Sequence, residues 1–462
     1  MRERGDNNRK AQEYQVQPLA PASAIASAPL QDAGSLAALY RKITCRLLPF
    51  LFAAYVLNTI DRINISFAKL RMASDLGLSD AAYGIGAAAF FAGYILFEVP
   101  SNLYMQKTGA RRTITRILLL WGLATVATSQ VNSPEALYVA RFLLGVAEAG
   151  FFPGVILYLT YWFPVHRRGR ITSLFLMSGT FAGMISGPLA AAIMLHLDGW
   201  LGLRDWQALF VVEGLPAMLL GLVAWRYLDD SPAQAAWLTP AEKAMLASDL
   251  GKEGHARQHG GIRALLRDPR IYVIGLAFLS IYACTNTIAY WMPTLIQGFG
   301  EAQVARIGWI STLPYVLGLL TMYLLARSSD RRLERRWHVA GCLLVAAASF
   351  LLMGVLRGEL MPAVACMTVG SAACLAALPV FWTIPPAYLG GNQAPAGIAL
   401  VSSLGGVAAL LSPIAVGAIK TRTGDLYLAF DLLAVLLAVG AVALLLALPA
   451  RLLERADGRD HR

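Results

Sequence analysis

Four ionisable residues stand inside stretches that are otherwise apolar: Asp61 and Arg62 in one, Arg141 and Glu148 in another. Arg141 and Glu148 are seven positions apart, two helical turns, so they share one helix face about 10 Å apart along the axis. The apolar run around them, roughly 136–163, is long enough to span a bilayer. A charge near a membrane centre costs at least about 2.5 kcal/mol and is tolerated only against a partner or a wet cavity. A helix with one charge of each sign on one face therefore lines a pathway. Asp61 and Arg62 are adjacent and point about 100° apart, so they need different partners. One economical arrangement pairs Arg62 with Glu148 in the empty site and leaves Arg141 for an anionic ligand. A static set of ion pairs between helices is the alternative. It is the weaker one, because buried pairs stabilise less than apolar packing does.

Other side chains border this set. Tyr94 could present its hydroxyl to a substrate or simply pack. Glu98, one turn further on, precedes Val99-Pro100-Ser101-Asn102 and is expected, with Asn102, to cap or latch helices at the inner mouth. Lys107, Asp330 and Arg331, in two basic loops, are the remaining gating candidates. Tyr282, Asn286 and Tyr290 recur every fourth residue, a polar stripe on one helix face. Trp382 and the Pro385-Pro386 pair suggest a bent, cavity-lining helix, and Ser402 with Ser403 opens an equivalent face in the next span. Glu213 is expected to be structural. Gly179, Gly183 and Gly187 repeat every four residues, a spacing that lets helices approach closely. The sequence has no phosphate loop, zincin helix or nucleophile elbow, and its five cysteines lie singly without metal-ligand spacing. No cofactor or metal is expected; with only His196 near a span, proton chemistry falls to carboxylates.

The elements that must position these groups are membrane spans. Hydrophobic residues make up 57% of the 462 and charged residues 15%, against about 25% charged in a soluble domain. The chain is thus an all-α membrane protein. Apolar runs occupy roughly 43–68, 82–105, 113–131, 136–163, 171–197 and 206–227, then 271–299, 304–326, 338–356, 361–389, 396–420 and 426–450. This predicts twelve transmembrane helices in two six-helix bundles, 43–228 and 269–450. A linker at 229–268 joins them, and tails lie at 1–42 and 451–462. The formal charge of +11 comes from short clusters between apolar runs, such as Lys107, Arg111, Arg112 and Arg116, or Arg331, Arg332, Arg335 and Arg336. That is the positive-inside pattern, placing both termini in the cytoplasm, rather than a nucleic-acid footprint. Pro153 and Pro379, and Pro188 and Pro413, recur at nearly equal offsets, as parallel repeats of a transporter would. In the linker, Thr239-Pro-Ala-Glu242 is a capping box with proline at the first helical position, so a short tethering helix is expected there.

Several longer motifs run through these spans: Asn58-Thr-Ile-Asp61-Arg62-Ile-Asn64, Phe97-Glu-Val-Pro-Ser-Asn102-Leu, Arg141 through Gly154, Trp237-Leu-Thr-Pro-Ala-Glu-Lys243, Phe381-Trp-Thr-Ile-Pro385 and Ala396-Gly-Ile-Ala-Leu400. Together they span nearly the whole chain, which resembles the major facilitator superfamily and, within it, the anion:cation symporter family of organic-anion transporters. The resemblance implies secondary active transport of a small carboxylate with protons, by a protein of the cell (inner) membrane that commonly works as a monomer. It implies proton coupling by Asp61 and Glu148, carboxylate attraction by Arg62 and Arg141, and substrate contact by Tyr94. Two departures stand out. The family pattern Asn-Ser-x-Gly-Asn in the eleventh span is Ser402-Ser403-Leu-Gly405-Gly406 here, so both amides are missing and a less hydroxylated or more aromatic acid is expected. Gln106-Lys107 replaces the Asp-Arg common in the wider superfamily's second-to-third loop. A proton-driven exporter is the nearest rival, although the glycine pair expected after Pro188 in antiporters is Ala190-Ala191.

Overall fold

The computed structural model describes residues 33–251, 266–332, 334–389 and 394–448. Expectations for 1–32, 252–265 and 451–462 fall outside them. Contacts divide the chain into Met1–Ile43 and Thr44–Arg462, and the second unit holds every expected site residue. The elements up to the linker are α1 (Ala33–Asp75), α2 (Asp80–Thr108), α3 (Ala110–Thr128), α4 (Pro134–Glu148), α5 (Phe151–Trp162), α6 (Val165–His196) and α7 (Asp205–Tyr227). Then come α8 (Pro240–Gly251), α9 (Pro269–Gly298), α10 (Val304–Ile310), α11 (Leu313–Arg332), α12 (Arg336–Val355), α13 (Leu360–Phe381), α14 (Ile384–Leu389), α15 (Ala394–Thr423) and α16 (Tyr427–Ala447). Among the described residues, 11 spans are long and apolar enough to cross a membrane. The third expected span is α3, only 19 residues long and carrying Arg111, Arg112 and Arg116, and it is not one of them. The first helix starts at Ala33, inside the segment expected as a tail.

Three spans are broken, of which only the tenth was expected to bend. The fourth stops at Glu148, and Ala149 (φ −54°, ψ 131°) with Gly150 (φ 86°, ψ −1°) adopts type II turn dihedrals before α5 begins. Only glycine takes that second position without strain, and a Cβ there would lie 2.6 Å from the Cβ and Oγ of Ser101. The break leaves Glu148 at a helix terminus. Gly150→Ala is expected to lower the melting temperature in detergent, with about 1–2 kcal/mol lost to the left-handed conformation and more to the clash. An unchanged melting curve would show that the chain escapes the turn. The eighth span breaks at Ser311 and Thr312. The tenth breaks at Trp382 and Thr383, upstream of the expected Pro385-Pro386. Those prolines sit in the first turn of α14, where a missing N–H costs nothing, so they start a helix rather than bend one.

Within the first six spans α2 and α3 pack on α4, and α7 packs on α3 and α6. Within the last six, α9 packs on α13, α15 and α16, while α12 packs on α13 and α16. Across the halves, α2 packs on α15, and α6 on α10 and α11. The small residues of α6 serve this crossing: Gly183 lies against Tyr315, and a Cβ on Gly187 would fall on the Gly308 carbonyl. In the linker, Glu242 N–H donates to Thr239 Oγ1 at 3.2 Å and Thr239 N–H to Glu242 Oε2 at 2.8 Å, closing the capping box. Trp237 stacks on Trp162 at 5.6 Å, and the Arg46 guanidinium lies over the Tyr227 and Trp237 rings at 4.6 and 4.9 Å. The linker is thereby fastened to the first six spans.

Candidate functional site

Arg62 and Glu148 form an ion pair, with Arg62 Nε donating to Glu148 Oε1 at 2.5 Å. The glutamate is fully buried and the Arg62 side chain is 18% exposed. Arg141, two turns before Glu148 on α4, is also fully buried, yet none of its three guanidinium nitrogens has a hydrogen-bond partner. One aromatic ring stands between the two arginines. The Phe90 centroid is 5.3 Å from the Arg62 guanidinium and 5.1 Å from that of Arg141, and Tyr94 flanks Arg62 at 5.0 Å. These contacts use the electron-rich ring faces to carry cationic charge in an apolar setting. Glu148 Oε2 makes no hydrogen bond, and Asn58, fully buried on α1, faces this carboxylate.

Asp61 has a separate environment. Its Oδ1 accepts from Asn64 Nδ2 at 2.9 Å, and its Oδ2 from Trp121 Nε1 at 2.6 Å and Thr125 Oγ1 at 2.7 Å. Adjacent positions on α1 thus send Arg62 to α4 and Asp61 to α3. The charges are partnered by different helices, as two side chains about 100° apart must be.

The second half contributes aromatic and amide groups. Tyr282 belongs to the electrostatic surroundings of Arg62, Tyr55 and Tyr94, and stacks on Phe278 at 5.4 Å. Phe278 also meets Trp382 at 4.7 Å and Phe381 at 5.2 Å. Asn286 spends its amide N–H on the Tyr282 carbonyl at 2.8 Å. Tyr290 is held differently: Tyr83 Oη donates to its backbone carbonyl at 2.9 Å, and its ring packs on Phe91 at 6.1 Å. Ser402 is exposed. Sequence reasoning gave no role to Asn58, Phe90, Trp121 or Thr125. A four-residue step from Tyr94 back to Phe90, or from Thr125 back to Trp121, was the available signal.

Among the described residues, the expected inner-gate residues form no latch between helices. Asn102 Nδ2 donates to the Glu98 backbone carbonyl at 2.8 Å, which continues the helix rather than latching it to a neighbour. Lys107, Asp330 and Arg331 are exposed, the last two along a cleft with Tyr323 and Arg327. At the opposite ends of the helices the halves are bonded. Buried Lys69 pairs with Asp80 at 2.6 Å and lies over Tyr83 and Trp291 at 4.4 and 4.2 Å. Lys420 of α15 reaches the same aspartate at 3.5 Å, and Ala81 N–H donates to Thr421 Oγ1 at 2.8 Å. Thr312 Oγ1 on the second half donates to the Met184 carbonyl on the first at 3.1 Å. This cluster of lysines and aspartate was legible only as loop charge.

A family model described as the Major Facilitator Superfamily matches residues 51–305. The chain belongs to the Major Facilitator Superfamily. It is a transporter and not an enzyme, and a multi-pass protein of the cell membrane. A candidate metabolite transport protein of Pseudomonas putida, NicT, is 40% identical over 421 residues, covering 90% of this chain and 96% of that protein. A quinolone resistance transporter of Acinetobacter baumannii is 40% identical over 406 residues, 87% of this chain and 93% of that one. A candidate tartrate transporter of Agrobacterium vitis is 38% identical over 408 residues, covering 88% and 90%. In fold alone, this superfamily chain is similar to a bacterial homologue of the human lysosomal transporter Spinster in an inward-facing, occupied conformation, with a TM-score of 0.72 at 16% identity over 90% of this chain and 98% of that one.

Proposed function

We propose that this transporter imports a small organic carboxylate together with protons by alternating access, as a monomer with twelve crossings and both termini in the cytoplasm. One observation carries the reading. Arg141 is fully buried and its guanidinium lacks any acceptor, while its neighbour Arg62 already has Glu148. A buried guanidinium without a hydrogen-bonding acceptor is costly, and a bidentate carboxylate is the ligand whose geometry fits it. Protonation of Glu148 loosens Arg62, and the incoming carboxylate neutralises Arg141. The loaded, charge-compensated site then closes and reopens. Asp61 takes part in the proton coupling, Tyr94, Tyr282, Asn286, Trp382 and Ser402 line the substrate path, and Glu98, Asn102, Lys107, Asp330 and Arg331 belong to the inner gate. The bonds around Lys69, Asp80 and Lys420 hold the outer side shut in this arrangement.

The aromatic cluster of Phe278, Tyr282, Phe381 and Trp382, beside a Ser402-to-Gly406 stretch without amides, favours an aromatic carboxylate over a polyhydroxylated one. The test is uptake of labelled organic acids into proteoliposomes with and without an inward proton gradient. Gradient-driven accumulation of an aromatic acid ahead of a sugar acid is expected. Binding without such accumulation would remove proton symport, and the reverse order of acids would remove the aromatic preference. Proton-driven export is the second reading, favoured by the 40% identity to a quinolone resistance transporter. Efflux of an uncharged amphipathic drug that ignores Arg141 would establish it.

A further inference from the structure

Glu213 of α7 is 6% exposed, and neither of its carboxyl oxygens has a hydrogen-bond partner. It faces the Asn64 side chain and the Asp61 carboxyl. Asn64 is fully buried; its Nδ2 donates to Asp61 Oδ1, while its own Oδ1 has no donor. Trp121 Nε1, Thr125 Oγ1 and one of the two Asn64 Nδ2 N–H groups are spent on Asp61, and the second Asn64 N–H is the one donor left toward Glu213. What is left over is three acceptors, the Asn64 oxygen and both oxygens of Glu213, against that single N–H.

A single proton on Glu213 resolves this imbalance. The Glu213 hydroxyl would donate to Asn64 Oδ1, and every one of Asp61's acceptor contacts would stay in place. We propose that Glu213 is a second proton-carrying acid of the transport cycle, bridged to Asp61 through the Asn64 amide so that the two carboxyls share one proton. This rests on the proton-coupled reading above. In one state Glu213 carries the proton and Asp61 is the carboxylate. In the other, Asp61 carries it and donates to the turned-over Asn64 oxygen, while Asn64 Nδ2 donates to the Glu213 carboxylate. The pair keeps one proton and one negative charge throughout, since two carboxylates this close do not both ionise. The groups bearing on it are Asp61 and Asn64 from α1, Trp121 and Thr125 from α3, and, through Asp61, Arg141 and Glu148 from α4. Asp61 is therefore the end of the pair nearer the substrate charges. Substrate arrival at Arg141 changes which acid holds the proton.

Infrared difference spectroscopy of the full chain in lipid, recorded across a pH step without substrate, reads protonated carboxyl groups directly. Wild type is expected to show a carboxylic-acid C=O band at neutral pH that disappears in Glu213→Gln. Glu213→Asp keeps an acid at the position and covers a glutamine variant that does not fold; it is expected to move the band rather than remove it. Asp61→Asn is expected to move the pH at which the Glu213 band titrates, a change that a merely structural glutamate would not undergo. Survival of the band in Glu213→Gln, or an Asp61→Asn titration identical to wild type, overturns the proposal. The two readings fail separately: absence of proton-driven uptake by wild type would remove the transport function, whereas the bands decide the acid pair by themselves.

Discussion

Arg141→Ala is expected to reduce uptake of the transported acid by ~100-fold or more while leaving the protein folded. The size follows from the contact being lost. A charge-assisted pair in a desolvated site is worth about 2–5 kcal/mol on truncation, and each 1.4 kcal/mol is tenfold. The stability prediction runs against intuition for a fully buried arginine. With no acceptor on any of its nitrogens, the empty-state guanidinium is an electrostatic burden that the Phe90 ring and the more distant Asp61 and Glu148 carboxyls only partly offset. Its removal relieves that burden and forfeits the packing of the aliphatic stem, two effects of opposite sign. Melting in detergent should therefore change little. Arg141→Lys keeps the charge and loses the planar fork, so it should fall between the two. Uptake measurements paired with thermal melting check both parts. A variant that transports at the wild-type rate would move the anion site elsewhere, and one that melts far lower would make Arg141 a structural ion.

Glu148→Gln should separate coupling from transport. It leaves Arg62 beside a neutral amide, so gradient-driven accumulation is expected to vanish while exchange of labelled for unlabelled acid continues. The stability cost should exceed that of Arg141→Ala, because here a satisfied pair is broken. Truncating one partner of a fully buried pair costs about 3–5 kcal/mol, and with the Arg62 side chain 18% exposed about 1–3 kcal/mol is expected. Counterflow in proteoliposomes at several pH values is the measurement. Loss of exchange along with accumulation would reject a pure coupling role for Glu148.

The polar centre was legible because charges inside apolar runs have few explanations. Helical phase then narrowed the partners: the α1 pair had to diverge, and the Arg62–Glu148 pairing drawn from spacing is the one the structure contains. What escaped was whatever depends on another helix. Trp121 and Thr125 hold Asp61 from some 60 positions away, and their four-residue step on α3 does not say which residue they face. The break after Glu148 was hidden because Gly145, Gly150 and Gly154 look alike in sequence, and only backbone dihedrals show which one takes the left-handed turn. Lys69 read as loop charge because a buried lysine is unusual; two aromatic rings and an aspartate make it possible. The bend of the tenth span was legible at Trp382, and the Pro385-Pro386 pair only placed it a few residues late, because proline marks a helix start as readily as a bend.

The crossing of α6 over α10 has a kinetic meaning. At Gly187 and Gly308 the two halves touch backbone to backbone, with no side chain between them to rotate aside. Such a seal cannot open by degrees. Whole helices must part together, so a partly leaky intermediate has no structural basis at that point. A gate of this kind sets how fast the carrier turns over and from which side it is most easily reached. Detailed balance leaves the final accumulation ratio to the driving gradients alone.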